Sequence, residues 1–145
     1  MKQHEIGAFI LRIFVGIAFF IHGLAKWQGG IENTAKFFET IGLPGILAYV
    51  VAFIETAGGI ALVLGIGTRI VSVLLAIIMI GAIFKVKLSA GFFGNGQMAG
   101  YELDLALLVI SIYLALNGNS FLAIDERISR IKSHSNRRTA EHELS

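Results

Sequence analysis

Residues 46–66 read ILAYVVAFIETAGGIALVLGI, twenty-one positions with a single charge, Glu55. A helix rising about 1.5 Å per residue needs about 20 residues to cross about 30 Å of hydrocarbon. This stretch meets that length outright. Three further apolar segments flank it: residues 6–21, extendable to 25 and containing Arg12; residues 70–84, uncharged; and residues 101–116, with Glu102 and Asp104 in the first turn. Apolar residues make up 55% of the 145-residue chain and charged residues 15%. The mean hydropathy is +0.75. Four helices of a soluble core would each need a polar face, and these segments lack one. A cleaved signal peptide is the lower-ranked reading of the first segment. The expected fold class is therefore all-α, an integral membrane bundle of four transmembrane helices.

The connections differ in character. Residues 66–69, IGTR, make a tight turn between the second and third segments, with Gly65 and Gly67 as helix terminators. Residues 28–43 carry Asn33 and Thr34 as cap candidates, apolar Phe37, Phe38 and Ile41, and charged Glu32, Lys36 and Glu39. That pattern predicts a short amphipathic helix at the interface, stopped by Gly42 and Pro44. Residues 89–100 are glycine-rich and read as a loop. The tail from Asp125 mixes charges with serine and histidine, and is expected to start helical and then fray. The chain thus divides into a membrane domain, residues 1–125, and a charged tail, residues 126–145. Four crossings would place Lys2, Arg69, Arg127, Arg130, Lys132, Arg137 and Arg138 on one side, against Lys26, Lys36, Lys85 and Lys87 on the other. That bias predicts a multi-pass cell-membrane protein with both termini in the cytoplasm.

Composition also excludes chemistry. There are no cysteines. Disulfides, thiolate zinc, thiolate-ligated iron–sulfur clusters and a dithiol relay within the chain are therefore ruled out. Of the four histidines, His4, His22, His134 and His142, only His22 lies in an apolar segment. This argues against a haem held by two histidines of one chain. The net charge of +2 is small and no basic face marks the apolar body, so a nucleic-acid partner is not expected. No motif encodes a cofactor, and no metal site is expected.

The remaining signal lies in charges at membrane depth, each costing roughly 2.5–3.5 kcal/mol unless paired inside the bundle. His22 and Lys26 close the first segment, Lys85 and Lys87 the third, and Glu102 and Asp104 open the fourth. Glu55 lies about 13 Å down the second, where a carboxylate needs a cation or a proton. At about 100° per residue, Arg12, His22 and Lys26 share an arc of about 80°. In the second segment Ala48, Ala52, Glu55 and Gly59 form one stripe, whose small residues admit a close neighbour. Glu102 and Asp104 lie about 200° apart, so a regular helix turns only one inward. Glu102 is taken as that one. The expectation is that His22, Glu55, Lys85 and Glu102 converge, with Lys26 and Asp104 beside them. Arg12 is expected to clamp the opposite half, paired to Asp125. Each residue also has a structural reading: lysines as helix-end anchors, Lys85–Glu102 as an ion pair, and His22 bonded to a carbonyl.

Several stretches together resemble the DoxX family: HGLAK (22–26), KFFETIGLP (36–44), AFIETAGGIALVLGIGTR (52–69) and AGYELDLALLV (99–109). The resemblance covers roughly residues 8–125. It implies a small prokaryotic four-helix membrane protein, of a kind commonly labelled oxidoreductase and linked to thiosulfate–quinone chemistry, thiol and oxidative stress, and quinone or catechol detoxification. Any thiol role would belong to a partner or substrate, since this chain lacks cysteine. The family's site carries over to His22, Gly23, Lys26, Glu55, Glu102 and Asp104. The expected function is a quinone-linked oxidoreductase, or a subunit of one, acting in oxidative or quinone stress defence. Glu55, His22 and Glu102 would be its catalytic residues. His22, Lys26, Lys85, Glu55 and Asp104 would bind the ligand, a bound quinone. The expected partners are the lipid bilayer, an oxidoreductase or dioxygenase-type enzyme, and a second copy as a homodimer. The alternatives are a carrier or exporter of a small hydrophobic compound, and a membrane anchor for a partner enzyme.

Overall fold

The computed structural model describes residues 2–118 and 123–143. Helix α1 spans Gln3–Gln28 and starts where Glu5 turns back to accept the Lys2 backbone N–H at 3.3 Å. A glycine pair breaks the chain, with Gly30 at φ 89°, and α2 follows over Ile31–Thr40. Asn33 and Thr34 do not cap it: the helix starts before them, at Gly30, and Asn33 donates back to the Gly29 carbonyl at 3.2 Å. Helix α3, Ile46–Leu64, ends on Gly65, whose left-handed φ of 74° lets the Ile66 N–H reach the Ala61 carbonyl at 2.9 Å. Gly67, also left-handed, starts α4 over Thr68–Ala82.

The third apolar segment is longer than its fifteen uncharged residues suggest. Beyond α4 the chain stays helical through a π turn, Ile83–Lys87, and a 3₁₀ turn, Leu88–Ala90. The two lysines do not stop the helix: Lys85 reaches out at its end and Lys87 finds a carboxylate partner in Asp104. After the loop, α5 runs Glu102–Asn117 and α6 runs Ile124–Glu143. The expected fraying of the tail is not seen, since α6 is helical to Glu143. Among the described residues, three helical stretches are long and apolar enough to cross a membrane: Gln3–Gln28, Ile46–Leu64 and Thr68–Ala90. Helix α5, with 16 residues, is shorter than these.

The architecture pairs α1 with α3, α4 with α5, and α3 with α4; α2 rests on the first turns of α3. The core of the bundle is Val15, Phe19, Leu62, Leu75, Met79, Leu107 and Leu114. Each long helix is inverted relative to a soluble one. Helix α1 exposes Ile10, Phe14, Ile17 and Ile21 while burying Arg12, Gly16 and Gly23. Helix α5 exposes Leu105, Val109 and Ile112 while burying Asp104 and Ser111. In water such an apolar exterior would cost about 25 cal/mol per Å². In lipid it costs nothing, and the interior becomes the place for small and polar side chains.

Candidate functional site

Glycine sets the geometry of the first polar cluster. A Cβ on Gly16 would meet the Gly59 carbonyl oxygen at 2.8 Å, and one on Gly59 would meet the Gly16 carbonyl and the Phe20 nitrogen at 2.6 Å. A Cβ on Gly23 would meet the Thr56 backbone nitrogen at 2.6 Å. Helices α1 and α3 therefore touch backbone to backbone along two turns. That contact brings Lys26 Nζ to 2.6 Å from Glu55 Oε2. Beside it, Trp27 Nε1 donates to Thr56 Oγ1 at 3.1 Å, and Thr56 donates to the Ala52 carbonyl at 2.7 Å. Tyr49 packs edge-on against Trp27, with ring centroids 6.3 Å apart. His22 is half-buried one turn below Lys26 on α1.

The Lys26–Glu55 pair is asymmetric. The Glu55 side chain is 2% exposed and that of Lys26 24%. The carboxylate is sealed inside, and the ammonium forms the outward face of the pair. The stripe Ala48, Ala52, Glu55 and Gly59 is buried throughout.

A second pair repeats the arrangement between α4 and α5. Lys87 Nζ lies 2.8 Å from Asp104 Oδ2, with side chains 23% and 5% exposed. Here the sequence expectation is corrected. Glu102 and Lys85 are exposed, and Asp104 is the carboxylate turned inward. At about 100° per residue Asp104 lies within about 20° of buried Ser111, whereas Glu102 is about 180° from it. Lys87 follows buried Ile83 by one turn and Lys85 does not. The convergence of His22, Glu55, Lys85 and Glu102 is therefore replaced by two lysine–carboxylate pairs, Lys26–Glu55 and Lys87–Asp104.

At the other end of the bundle Arg12 is fully buried. Its guanidinium stands 5.4 Å from the Phe9 ring centroid and lies against Gly65, where a Cβ would meet Nη1 at 2.8 Å and the Ala123 Cα at 2.6 Å. Asp125 reaches the same turn: its Oδ2 accepts the Gly67 N–H at 2.6 Å, and its own N–H donates to the Gly65 carbonyl at 3.4 Å. Arg12 and Asp125 thus each reach the α3–α4 turn, Arg12 from α1 and Asp125 from the start of α6. Among the described residues no three His, Asp or Glu side chains cluster as metal ligands would.

The DoxX family model matches residues 7–88, which hold most of α1, the chain on through the π turn, and the whole first ion pair. The chain belongs to the DoxX family. A Bacillus subtilis (strain 168) protein named "Putative oxidoreductase CatD" is 50% identical over 135 residues, covering 93% of this chain and 96% of the relative. An uncharacterised membrane protein of Mycobacterium tuberculosis is 31% identical over 132 residues, covering 83% of this chain and 80% of the relative. The Escherichia coli inner membrane protein YqjF is 32% identical over 68 residues, covering 47% of this chain and 52% of the relative. No solved structure matches the chain. With its inverted helices and these membrane relatives, the DoxX-family chain is a membrane protein.

Proposed function

We propose that this DoxX protein is the quinone-handling part of a membrane oxidoreductase, and that the Lys26–Glu55 pair with His22 is its site. The single observation that carries the reading is the asymmetry of that pair. A carboxylate is held at membrane depth by one lysine whose head remains reachable. A flat molecule bearing two carbonyls would meet donors first: the Lys26 ammonium and, one turn away, the His22 ring. Glu55 behind them is placed to give or take the proton that accompanies reduction. The electrons would come from a partner reductase, because the chain offers no cysteine to supply them. The neighbouring Trp27 and Tyr49 rings supply an apolar surface for the ligand's ring. The relative named "Putative oxidoreductase CatD" supports the oxidoreductase part of this reading. A role in oxidative or quinone stress defence follows if the substrate is a toxic quinone.

The topology belongs to this proposal. Helix α5 packs along α4 and would cross with it, as the fourth span. Its 16 residues rise about 24 Å, and the Lys87–Asp104 pair would sit near the membrane boundary. Helix α2, at 10 residues, would lie in the interface, with both termini cytoplasmic. Reporter fusions after Gly30 and Asn95 should then read external, and fusions after Thr68 and Ser145 internal.

The functional test is titration of purified wild type and Glu55→Gln with menaquinone and ubiquinone analogues at several pH values. Saturable binding by the wild type is expected. Its pH dependence should vanish in Glu55→Gln, and His22→Ala should weaken binding by about 1–3 kcal/mol. If no quinone binds the wild type saturably, the reading fails and a carrier or an anchor takes its place.

A further inference from the structure

Helix α6 has no place in the ion-pair site, and its whole length from Arg127 is exposed. Its start is fixed. The Gly67 N–H to Asp125 Oδ2 bond ties it to the turn joining Ile46–Leu64 and Thr68–Ala90, two helical stretches long and apolar enough to span. The helix therefore leaves the bundle where hydrocarbon gives way to headgroups. Ile124, Ile128 and Ile131 recur at i, i+4 and i+7, and at about 100° per residue fall within an arc of about 60°. Exposure rises along the stripe as the helix leaves the bundle, from 37% at Ile124 to 47% at Ile128 and 69% at Ile131.

Charge says what should cover them. From Arg127 to Ala140 the helix carries five basic residues, Arg127, Arg130, Lys132, Arg137 and Arg138, and no acidic one; the acidic residues of α6 lie at its two ends, Asp125 and Glu126 before this run and Glu141 and Glu143 after it. Arg127 and Arg138 lie on one flank of the isoleucine stripe and Lys132 on the other. Their aliphatic stems can run beside the stripe while their heads reach phosphate height. An apolar stripe edged with arginine and lysine is the pattern of a helix lying in the plane of an anionic interface. A soluble acidic partner would use the cations and leave the stripe unexplained. A second hydrophobic protein would use the stripe and leave the cations unexplained.

We infer that α6 binds the anionic phospholipid headgroups of the same bilayer that holds the bundle. Ile124, Ile128 and Ile131 would be inserted among the acyl chains, with Arg127, Lys132 and Arg138 on the phosphates. The inference does not depend on the ligand of the ion-pair site.

The chain has no cysteine, so single cysteines can report on it without background. Ile131→Cys and Ser133→Cys, about 200° apart on the helix, are each labelled with an environment-sensitive fluorophore in the full-length protein. The protein is reconstituted in vesicles of phosphatidylcholine alone or mixed with phosphatidylglycerol. The label at 131 should shift to the blue in the anionic vesicles and return toward the water value as salt is raised. The label at 133 should stay water-like throughout. Replacing Arg127, Lys132 and Arg138 by glutamine should abolish the shift at 131. Equal, water-like emission at both positions in both vesicle types would overturn the inference. So would a shielded 131 that ignores lipid charge and follows protein concentration, which would mark contact with a second copy.

Discussion

Replacing Lys26 by methionine keeps the length of the side chain and removes the cation facing Glu55. In a dry interior, breaking a buried pair by removing one partner costs about 3–5 kcal/mol, because the other charge is left uncompensated. The pair here is not fully dry, since the Lys26 side chain is 24% exposed. That places the expectation at or below the lower end, about 3 kcal/mol. An acidic residue at the centre of a membrane helix gives an independent figure of about 2.5–3.5 kcal/mol. Because about 1.4 kcal/mol is a factor of ten, Lys26→Met should raise the unfolded fraction by about two orders of magnitude. The assay is reversible unfolding in mixed micelles of wild type, Lys26→Met, Glu55→Gln and the double variant. The double variant should recover most of the loss, because the neutral amide needs no counter-charge. The two single costs should therefore not add. If Lys26→Met unfolds with the wild type, Glu55 has another source of compensation and the pair does not hold the bundle.

Two further outcomes separate the residues that face inward from their neighbours. Asp104→Asn and Lys87→Met should each cost stability in the same unfolding assay. Glu102→Gln and Lys85→Gln, both at exposed positions, should stay within about 0.5 kcal/mol of wild type. Gly59→Ala, whose Cβ would meet two backbone atoms at 2.6 Å, should force α1 from α3 at a cost of about 1–3 kcal/mol. Gly81→Ala, with open space around its Cβ position, should be neutral or slightly stabilising.

Much of this was legible, and what was not has a physical cause. Segment lengths gave three spans to within a few residues at most ends, because an unbroken apolar run leaves little choice of boundary. The burial of Glu55 followed from its place in such a run, and the stripe of Ala48, Ala52 and Gly59 pointed to the face it shares. The choice of Glu102 over Asp104 went wrong because α5 is apolar all round. Hydrophobic periodicity marks the buried face only when the other face is polar, and lipid removes that contrast. The usable signal was Ser111, the one hydroxyl of the same helix that is buried, in phase with Asp104. The same reasoning links Lys87 to Ile83 and leaves Lys85 outside. The third segment was read as short because its lysines were counted as its end. The length of α6 was underestimated because polar composition alone says little about a helix that draws on charge and an interface.

The two ion pairs share one feature that bears on function more than their existence does. In both, the carboxylate is nearly sealed and the lysine is about a quarter exposed. A pair kept only to hold helices together gains nothing from such asymmetry. Burying both partners would strengthen the Coulomb attraction, and exposing both would lower the desolvation cost. Sealing the anion and presenting the cation gives instead the positive contact, with a carboxylate behind it, that the proposed quinone site calls for. The glycines fix which of the two pairs can act this way most tightly. At Gly16, Gly23 and Gly59 the backbones of α1 and α3 are in contact, so Glu55 cannot retreat from Lys26 without parting two helices. Lys26, on a four-carbon stem near the end of α1, can swing away. A ligand that draws Lys26 toward its own oxygen would therefore leave Glu55 at membrane depth without its cation. On the proposed function, ligand binding is then coupled to the ion pair through one lysine. The coupling predicts that Lys26→Met, in whatever fraction folds, loses the pH dependence of binding together with Glu55→Gln. A Lys26→Arg variant, whose planar, permanently charged head stays with the carboxylate, should bind ligand more weakly while stabilising the bundle.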